Sequence, residues 1–433
     1  MKSTNFFDVI LFSNADWASK YWTNKQHIAS RLADRGHRVL YVETIGLRRP
    51  GINRIDLGRM GARLRRAVAP IAKVRDNLWV LSPLSIPFGR RHAMVNRFNS
   101  LLLFSRIRAW QRTHGVNRPL VWTYHPYLPE NLTSIGAQKL VYHCADEVGA
   151  IPGIDRAAFD LAEHALLSRA DVVFTTSHRL QQRCAAVAGP CSHYFGNVAD
   201  IAHFGSCRTA TTLPPDLKAI PRPRLGYVGS LSNFKVDFRL LDGISAERPQ
   251  WQIVLIGNER EGQTDPNLAA LARRPNVHLL GWRPYDTLPQ YMAGFDVALL
   301  PQLINGYTQS MFPMKFFEYA AAGLPIVSTP LEALRDFAPL HKAATTSEGF
   351  ILAISAILAD PQRFSVSLDD PVLQENSWDR RLDRMLAVIG GSSDDPDRGA
   401  DLIPHMPTRA MTAGTATITH RSESRRAEGW NDE

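Results

Sequence analysis

Short apolar runs that end in polar or glycine-bearing turns recur along this chain, with helical periodicity between them. The run DVILF (8–12) stops at Ser-Asn-Ala-Asp16, and a polar turn follows. Residues 25–35 (KQHIASRLADR) carry a helical pattern that Gly36 closes, and 37–43 (HRVLYVE) read as a second strand. Strand, loop, helix, glycine, strand is the opening of a parallel α/β domain. Residues 120–124, 139–143 and 170–177 read as further strands. Between 48 and 112 the pattern is less regular. Met60, Leu64, Val68 and Ile71 recur at helical spacing beside Arg59, Arg63 and Arg66, although Pro70 interrupts, which predicts a basic amphipathic helix over 59–74.

A second α/β pattern begins at 224 (RLGYVGSL), after a Thr- and Pro-rich stretch over 206–222 that reads as a linker. Strands are expected at 251–257, 277–281, 295–301 and 325–329. Before the last of these, a helix should start near Pro313, where a missing N–H costs nothing, and end at Gly323 and Pro325. Residues 376–386 read as one more helix, with Ser377 as its cap. Beyond 390 the chain is rich in Gly, Ser, Asp, Thr and Arg with little apolar periodicity, and a disordered tail is expected. The predicted layout is a first domain over 1–205, a linker over 206–223, a second domain over 224–375, a terminal helix over 376–390 and a tail over 391–433.

Composition changes this picture in two places. No run approaches about 18 uninterrupted apolar residues, so no membrane span is expected, and the first residues read as a strand, not a signal peptide. The net charge of +9 is unevenly spread. Between Leu47 and Leu120 fifteen arginines and one lysine face two aspartates, a local +14, so the remainder sums to −5. Such an excess predicts an anionic partner. An anionic membrane surface is the partner expected for the Arg-rich 48–118 region; a solvated helix face is the plainer alternative. Nucleic acid is not expected, since no nucleic-acid motif or interleaving of aromatics with arginines accompanies the charge. Cys144, Cys184, Cys191 and Cys207 form no C-x-x-C pair and suit a reducing cytoplasm.

In a doubly wound sheet ligands bind beyond the carboxyl ends of strands. That rule puts Asn14, Asp16, Trp17, Trp22, Asn24 and Gln26 at a cleft. It also marks His125 and Asp146, each just past a strand, as candidate general bases; turn and cap roles remain open for both. Lys315 and Glu318 lie three apart, on one face of the helix that starts near Pro313. The N–H groups and dipole of a helix start suit phosphate, Lys315 adds charge for a diphosphate, and Glu318 can accept ribose hydroxyl protons. An ordinary surface ion pair has the same spacing. Gly229, after the first strand of the second domain, lets a backbone approach a diphosphate closely.

The segments P-M-K-F-F-E-Y and A-A-G-L-P-I-V-S-T resemble the donor-nucleotide segment of GT-B glycosyltransferases. They are closest to glycosyltransferase family four and to bacterial teichuronic-acid and exopolysaccharide enzymes. L-A-D-R-G-H-R-V-L-Y-V, Y-H-C-A-D-E, S-R-A-D-V-V-F-T-T-S-H and F-G-N-V-A-D resemble segments of the first domain of these enzymes. The resemblance covers roughly 6–390 and is strongest over 224–330. It implies an α/β GT-B architecture, two Rossmann-like parallel-sheet domains facing across a cleft, with the terminal helix crossing back to the first domain. It assigns Lys315 to the donor pyrophosphate and Glu318 to the ribose, and supports Asp146 as base. Gly229, Ser230, Lys235, Asn258, Trp282, Arg283, Gln309, Ser310, Met311 and Phe312 complete the implied nucleotide-sugar site. Asn14, Asp16, Trp22, Asn24 and Gln26 form the expected acceptor side. Three departures stand out: Ser310 replaces the first acid of E-x7-E, Ser230 stands where an Arg accompanies the glycine, and His143 replaces an Asp.

The implied reaction moves a sugar from a nucleoside-diphosphate sugar, UDP- or GDP-linked, to a hydroxyl of a lipid-linked or polysaccharide acceptor. No metal and no resident cofactor are expected, and the enzyme is expected in the cytoplasm, peripheral on the inner face of the membrane. Asp146 as base implies inversion whereas Lys235 matches a retaining pattern, so the stereochemistry stays open. A nucleotide-sugar epimerase or hydrolase of the same fold and a non-catalytic nucleotide-binding protein are the alternatives. A pyridine-dinucleotide enzyme is disfavoured, because no G-x-G-x-x-G follows either first strand.

Overall fold

The computed structural model describes residues 6–44, 70–83, 93–128, 132–259 and 265–391. Two sheets organise it. The first contains β1 (Val9–Phe12), β2 (Val39–Val42), β3 (Ala72–Arg75), β4 (Leu78–Leu81), β5 (Leu120–Thr123), β6 (Lys139–Cys144), β7 (Val172–Thr175) and β8 (Ser192–Tyr194), in the order β3-β4-β2-β1-β5-β6-β7-β8. The second contains β9 (Arg224–Val228), β10 (Gln252–Ile256), β11 (Val277–Gly281), β12 (Val297–Leu300), β13 (Ile326–Ser328) and β14 (Lys342–Ala343), in the order β11-β10-β9-β12-β13-β14. Among the described residues every ladder is parallel except β3–β4. Strand order reverses between β1 and β5 and again between β9 and β12, so each sheet has a crevice at its carboxyl edge.

Central strands such as VILF, VLYV and VALL are buried throughout. Their uninterrupted apolar sequence follows from helices covering both sheet faces. Each sheet accordingly has two cores, one per face. The core that contains Phe312, Phe316 and Phe317 also takes in Ala199, Ile201 and Phe204. The second packing unit therefore recruits chain from before 205, several residues earlier than composition suggests. The Thr- and Pro-rich stretch is pinned as well. Arg208 donates to the carbonyls of Ala321 (2.9 Å) and Ala320 (3.1 Å), placing a cation on the carboxyl end of the helix Lys315–Ala321. Gly323 follows with φ +77°, and a Cβ there would lie 2.9 Å from the Arg208 guanidinium carbon.

The helix Trp378–Gly390 sends Trp378, Leu382, Met385 and Ile389 into the core of the first sheet. Ser377 caps its start, and Lys139 Nζ donates to the Ile389 carbonyl at 2.5 Å near its end.

The 48–112 region differs from the sequence expectation. Residues 45–69, which hold most of the basic helix predicted over 59–74, lie outside the described residues. Its last part is strand: Ala72–Arg75 pairs antiparallel with Leu78–Leu81 around Asn77, whose φ is +56°. Asp76-Asn77 is a turn pair that a helical reading overlooks. A 22-residue helix, Ala93–His114, then makes the crossover to β5. The predicted tail beyond 391 also lies outside the described residues.

Candidate functional site

Lys315 opens the helix Lys315–Ala321, with Met314 at the cap position and the Pro313 carbonyl accepting from Phe316 N–H at 3.0 Å. The helix begins two residues past Pro313. It is anchored from beneath: Tyr319 is fully buried, and its hydroxyl accepts the Val228 N–H at 2.8 Å, tying the helix to the end of β9. Phe312, Phe316 and Phe317 stack into the same core. On the cleft side Lys315 Nζ donates to Glu318 Oε2 at 2.5 Å. The side chain of Glu318 is 4% exposed and that of Lys315 26% exposed, so the ammonium is the accessible member.

Glycines line the carboxyl edge beside this helix. Gly229 N–H donates to the Ile256 carbonyl and Gly257 N–H to the Gly281 carbonyl, each at 2.9 Å. A Cβ on Gly257 would sit 1.8 Å from the Gly229 carbonyl oxygen, so only glycine lets these two turns meet. Lys235 lies on the loop after β9, with Nζ 4.6 Å from the centroid of the Tyr307 ring. Ser230 is half-buried, and its hydroxyl oxygen is a buried atom with no hydrogen-bond partner. Asn258 Oδ1 accepts the Trp282 N–H at 3.1 Å. Gln309 Oε1 accepts the Glu332 N–H at 3.2 Å, and the Ser310 hydroxyl donates to the Gly306 carbonyl at 3.0 Å. Met311 is half-buried beside Phe312, whose ring is wholly in the core. Arg283 does not reach the cleft with a spare fork. It donates to Tyr291 Oη and Asp216 Oδ2, each at 2.6 Å, and to the Trp282 carbonyl, clamping the turn to the residues before β9.

On the facing domain, Asp146 stands two residues past β6, half-buried. His125 is buried two residues past β5, its backbone locked by the Thr123 hydroxyl, which accepts its N–H and donates to its carbonyl. Asn14, Asp16 and Trp22 are half-buried on the loop after β1. The two tryptophans of this loop are packed, not loose: Trp17 lies 5.2 Å from Trp22 and 5.2 Å from Tyr41, ring centroid to centroid. Two of the expected acceptor residues serve the fold. Gln26 completes a capping box with Thr23 and donates to the Asp16 carbonyl, and buried Asn24 bonds Asn197 and Arg381.

The two walls touch through polar contacts that no periodicity announces. Tyr307 Oη donates to Asp146 Oδ1 at 3.0 Å. Ser177 Oγ donates to the Ser310 carbonyl at 2.9 Å, and Asn197 Nδ2 to the Phe312 carbonyl at 2.7 Å. Asn258 N–H donates to Tyr21 Oη at 2.9 Å, and Trp282 Nε1 to the Lys20 carbonyl at 3.0 Å. His27 stacks on Trp378 at 4.9 Å; burial first, then the charges of Arg31 and Lys315, depress its pKa to about 3. Tyr21, His27 and Asn197 were not singled out by sequence reasoning. Tyr21 and His27 at least belong to the polar loop and helix that follow β1.

Two doubly wound sheets whose carboxyl edges face each other define the GT-B architecture, and solved structures similar to this one share the fold. Residues 222–360, most of the second domain, match the family described as Glycosyl transferases group 1. Among curated proteins the chain is 26% identical over 229 residues to TuaH of Bacillus subtilis (strain 168), named as a teichuronic acid biosynthesis glycosyltransferase. That match covers 49% of this chain and 56% of TuaH, so the chain spans little more than half of that relative. Sucrose-phosphate synthase of Thermosynechococcus elongatus superposes with a TM-score of 0.65 at 16% identity, covering 89% of this chain and 98% of that one. HepE of Anabaena in complex with UDP-glucose superposes with a TM-score of 0.61 at 16% identity, covering 89% and 100%.

Proposed function

We propose that this chain is a glycosyltransferase that binds a nucleoside-diphosphate sugar on its second domain and delivers the sugar to a hydroxyl of a lipid-linked or polysaccharide acceptor held on the first. The observation that supports this reading is the Lys315–Glu318 pair at the start of a helix that the Tyr319 hydroxyl ties to the end of β9, preceded by a loop whose Tyr307 meets Asp146 of the first domain. Lys315 and Lys235 supply positive charge for the leaving diphosphate, a role that elsewhere falls to a metal ion. Glu318 takes the ribose hydroxyls. Asp146 accepts the proton of the attacking hydroxyl. TuaH acts, by its name, in teichuronic acid biosynthesis, which favours an envelope glycan as the acceptor. HepE binds UDP-glucose, which favours a UDP-linked donor.

The half-exposed first-domain helix Ala93–His114 adds a location. Met94, Phe98 and Leu101 are exposed on its outer face, beside exposed Arg97. This arrangement supports peripheral attachment to an anionic membrane, where a lipid-linked acceptor would be found. Among the described residues no helix is long and apolar enough to cross a membrane.

Calorimetric titration of UDP, GDP and ADP, with and without a chelator, into the wild type and Lys315→Ala tests the donor site. One nucleotide should bind at micromolar strength without metal and weaken at least tenfold in the variant. A folded wild type that binds none of the three removes the transferase reading.

A further inference from the structure

Two turns at the carboxyl edge of the second sheet give N–H donors to the first domain. Asn258 N–H, in the turn after β10, donates to Tyr21 Oη at 2.9 Å. The Trp282 indole, in the turn after β11, donates to the Lys20 carbonyl at 3.0 Å, and Lys20 Nζ lies 5.3 Å from the indole centroid. The phenol also stands over the glycine junction: a Cβ on Gly257 would lie 3.5 Å from Tyr21 Oη. The tip that makes these contacts rises from a fixed base. Trp17 N–H donates to Glu43 Oε1 at 2.8 Å, and the Asp16 carbonyl accepts from the Gln26 amide at 3.2 Å and from Ser19 N–H at 3.1 Å. Lys20 and Asn258 are exposed, and Tyr21 and Trp282 are half-buried. Lifting the tip therefore returns the contacting groups to water and strands none of them in the interior.

The turn after β11 also adjoins the helix Lys315–Ala321. Burial first, and then the Glu318 carboxylate, push the Tyr285 phenol upward, and Tyr285 is three residues past Trp282. A base carried on a ribose at Glu318 has this turn within reach. We infer that the tip Lys20–Tyr21 occupies the place of the donor's nucleobase, so that nucleotide binding on the second domain and this contact with the first exclude each other. This rests on the transferase reading above. The tip offers what a base offers: an aromatic ring, oxygen acceptors for two N–H groups, and cover for one face of the indole. Only the fraction of molecules with the tip raised takes up the donor, and the apparent affinity is lowered by that fraction. The tip belongs to the loop that carries Asn14, Asp16 and Trp22. Its release by the nucleotide therefore couples donor arrival to the acceptor side of the cleft.

The test uses the full chain as wild type and Tyr21→Phe, with UDP, GDP and ADP as probes. Binding is followed by calorimetry and by stopped-flow tryptophan fluorescence, and backbone opening by hydrogen exchange. Phenylalanine keeps the ring and removes the oxygen that accepts the Asn258 N–H; thermal melting checks the fold. For the nucleotide that binds the wild type, the variant should bind about 2–10-fold more tightly, the worth of one hydrogen bond. The gain should lie in faster association with dissociation unchanged, because the contact is absent from the bound state. In the wild type the nucleotide should speed exchange over 14–23 while slowing it over 312–322; this measurement needs no variant and stands whether or not Tyr21→Phe folds. Unchanged or weaker binding by folded Tyr21→Phe overturns the inference and leaves the transferase reading intact. Slower exchange over 14–23 on nucleotide binding does the same, by showing that the tip closes on the bound donor. A folded wild type that binds none of the three nucleotides overturns the transferase reading and this inference with it.

Discussion

The side-chain amide of Asn197 donates to the carbonyl of Phe312 at 2.7 Å, joining the end of the first domain to the backbone just before the helix Lys315–Ala321. The bond is one link of a chain. Asn24 Nδ2 donates to Asn197 Oδ1 at 3.0 Å, and Arg381 donates to Asn24 Oδ1 at 2.6 Å. Arg381 comes from the helix Trp378–Gly390, is 3% exposed and also donates to the Phe195 carbonyl at 2.9 Å. Asn197→Ala strands a buried carbonyl and a buried amide, a loss of about 1–3 kcal/mol. The expected outcome is a lower melting temperature together with reduced turnover, because the backbone that leads into Lys315 loses its tether. A variant that melts early but turns over normally would confine Asn197 to stability.

Acid should weaken this protein through its buried histidines. His27 has a pKa near 3 in the folded chain, against about 6.5 when unfolded, for the desolvation and cationic neighbours described above. His143 is depressed in the same direction by burial first, then by Arg381 and Lys25. Between the two pKa values the unfolded chain binds protons that the native state refuses. Stability is therefore full above about pH 6.5 and falls as the pH drops, by about 1.4 kcal/mol per pH unit for each fully excluded histidine. Melting followed from pH 7 to 4.5 should show this decline. His27→Gln should flatten it; an unchanged slope in that variant would remove His27 from the account.

Much of the architecture was legible because buried parallel strands announce themselves as apolar runs. DVILF, HRVLYVE, WQIVLIG and FDVALLP all contain strands, and the polar residues beyond them mark the ligand edge. The short strands Ser192–Tyr194 and Lys342–Ala343 escaped, since two or three residues carry no periodicity. The hairpin Ala72–Leu81 escaped because its alternation is masked by Lys73 and Arg75 and by Ile71 and Val74, which also fit a helical register. Single side chains were harder to place. Gln26 and Asn24 look like ligands in a cleft loop, but the helix start and the interdomain seam take their amides. Arg283 lies in the expected turn and is consumed by Asp216 and Tyr291. Pairings such as Asn197 with Phe312 connect positions more than a hundred residues apart, and local sequence cannot express them.

The ion pair between Lys315 and Glu318 separates two contributions to nucleotide binding. In this structure each satisfies the other at 2.5 Å, so under the proposed function a bound donor draws the ammonium toward its diphosphate while the carboxylate turns to the ribose. Glu318→Gln keeps the shape and removes the charge. A charge-assisted hydrogen bond is worth about 1.5–3 kcal/mol, so nucleotide binding should weaken about 10–150-fold. The deoxyribose forms of the nucleotide supply the control. Wild type should discriminate against a missing ribose hydroxyl, and Glu318→Gln should not. Equal discrimination by both proteins would move the ribose contact elsewhere.

The outer face of the helix Ala93–His114 is the place to test membrane attachment. Met94 (86% exposed), Phe98 (51%) and Leu101 (62%) recur at i, i+4 and i+7, while Leu103, Phe104, Ile107 and Trp110 occupy the opposite, buried face. Exposed Arg97, Arg108 and Arg112 continue the outer face toward the helix end. A right-handed crossover starts its helix at the edge where the preceding strand ends. The apolar half therefore lies at the carboxyl edge of the first sheet, the same edge as Asp146 and the loop after β1. Inserting a side chain of this size into the acyl boundary gains about 1.5–3 kcal/mol, and each arginine near an anionic surface adds about 1 kcal/mol. Sedimentation with phosphatidylglycerol vesicles should therefore retain the wild type and lose it as salt rises, whereas phosphatidylcholine vesicles should retain little. Phe98→Asp combined with Leu101→Asp should weaken vesicle binding at least tenfold and leave nucleotide affinity unchanged, since neither residue touches the donor wall. Equal retention of wild type and double variant would remove the exposed apolar stripe from the membrane contact.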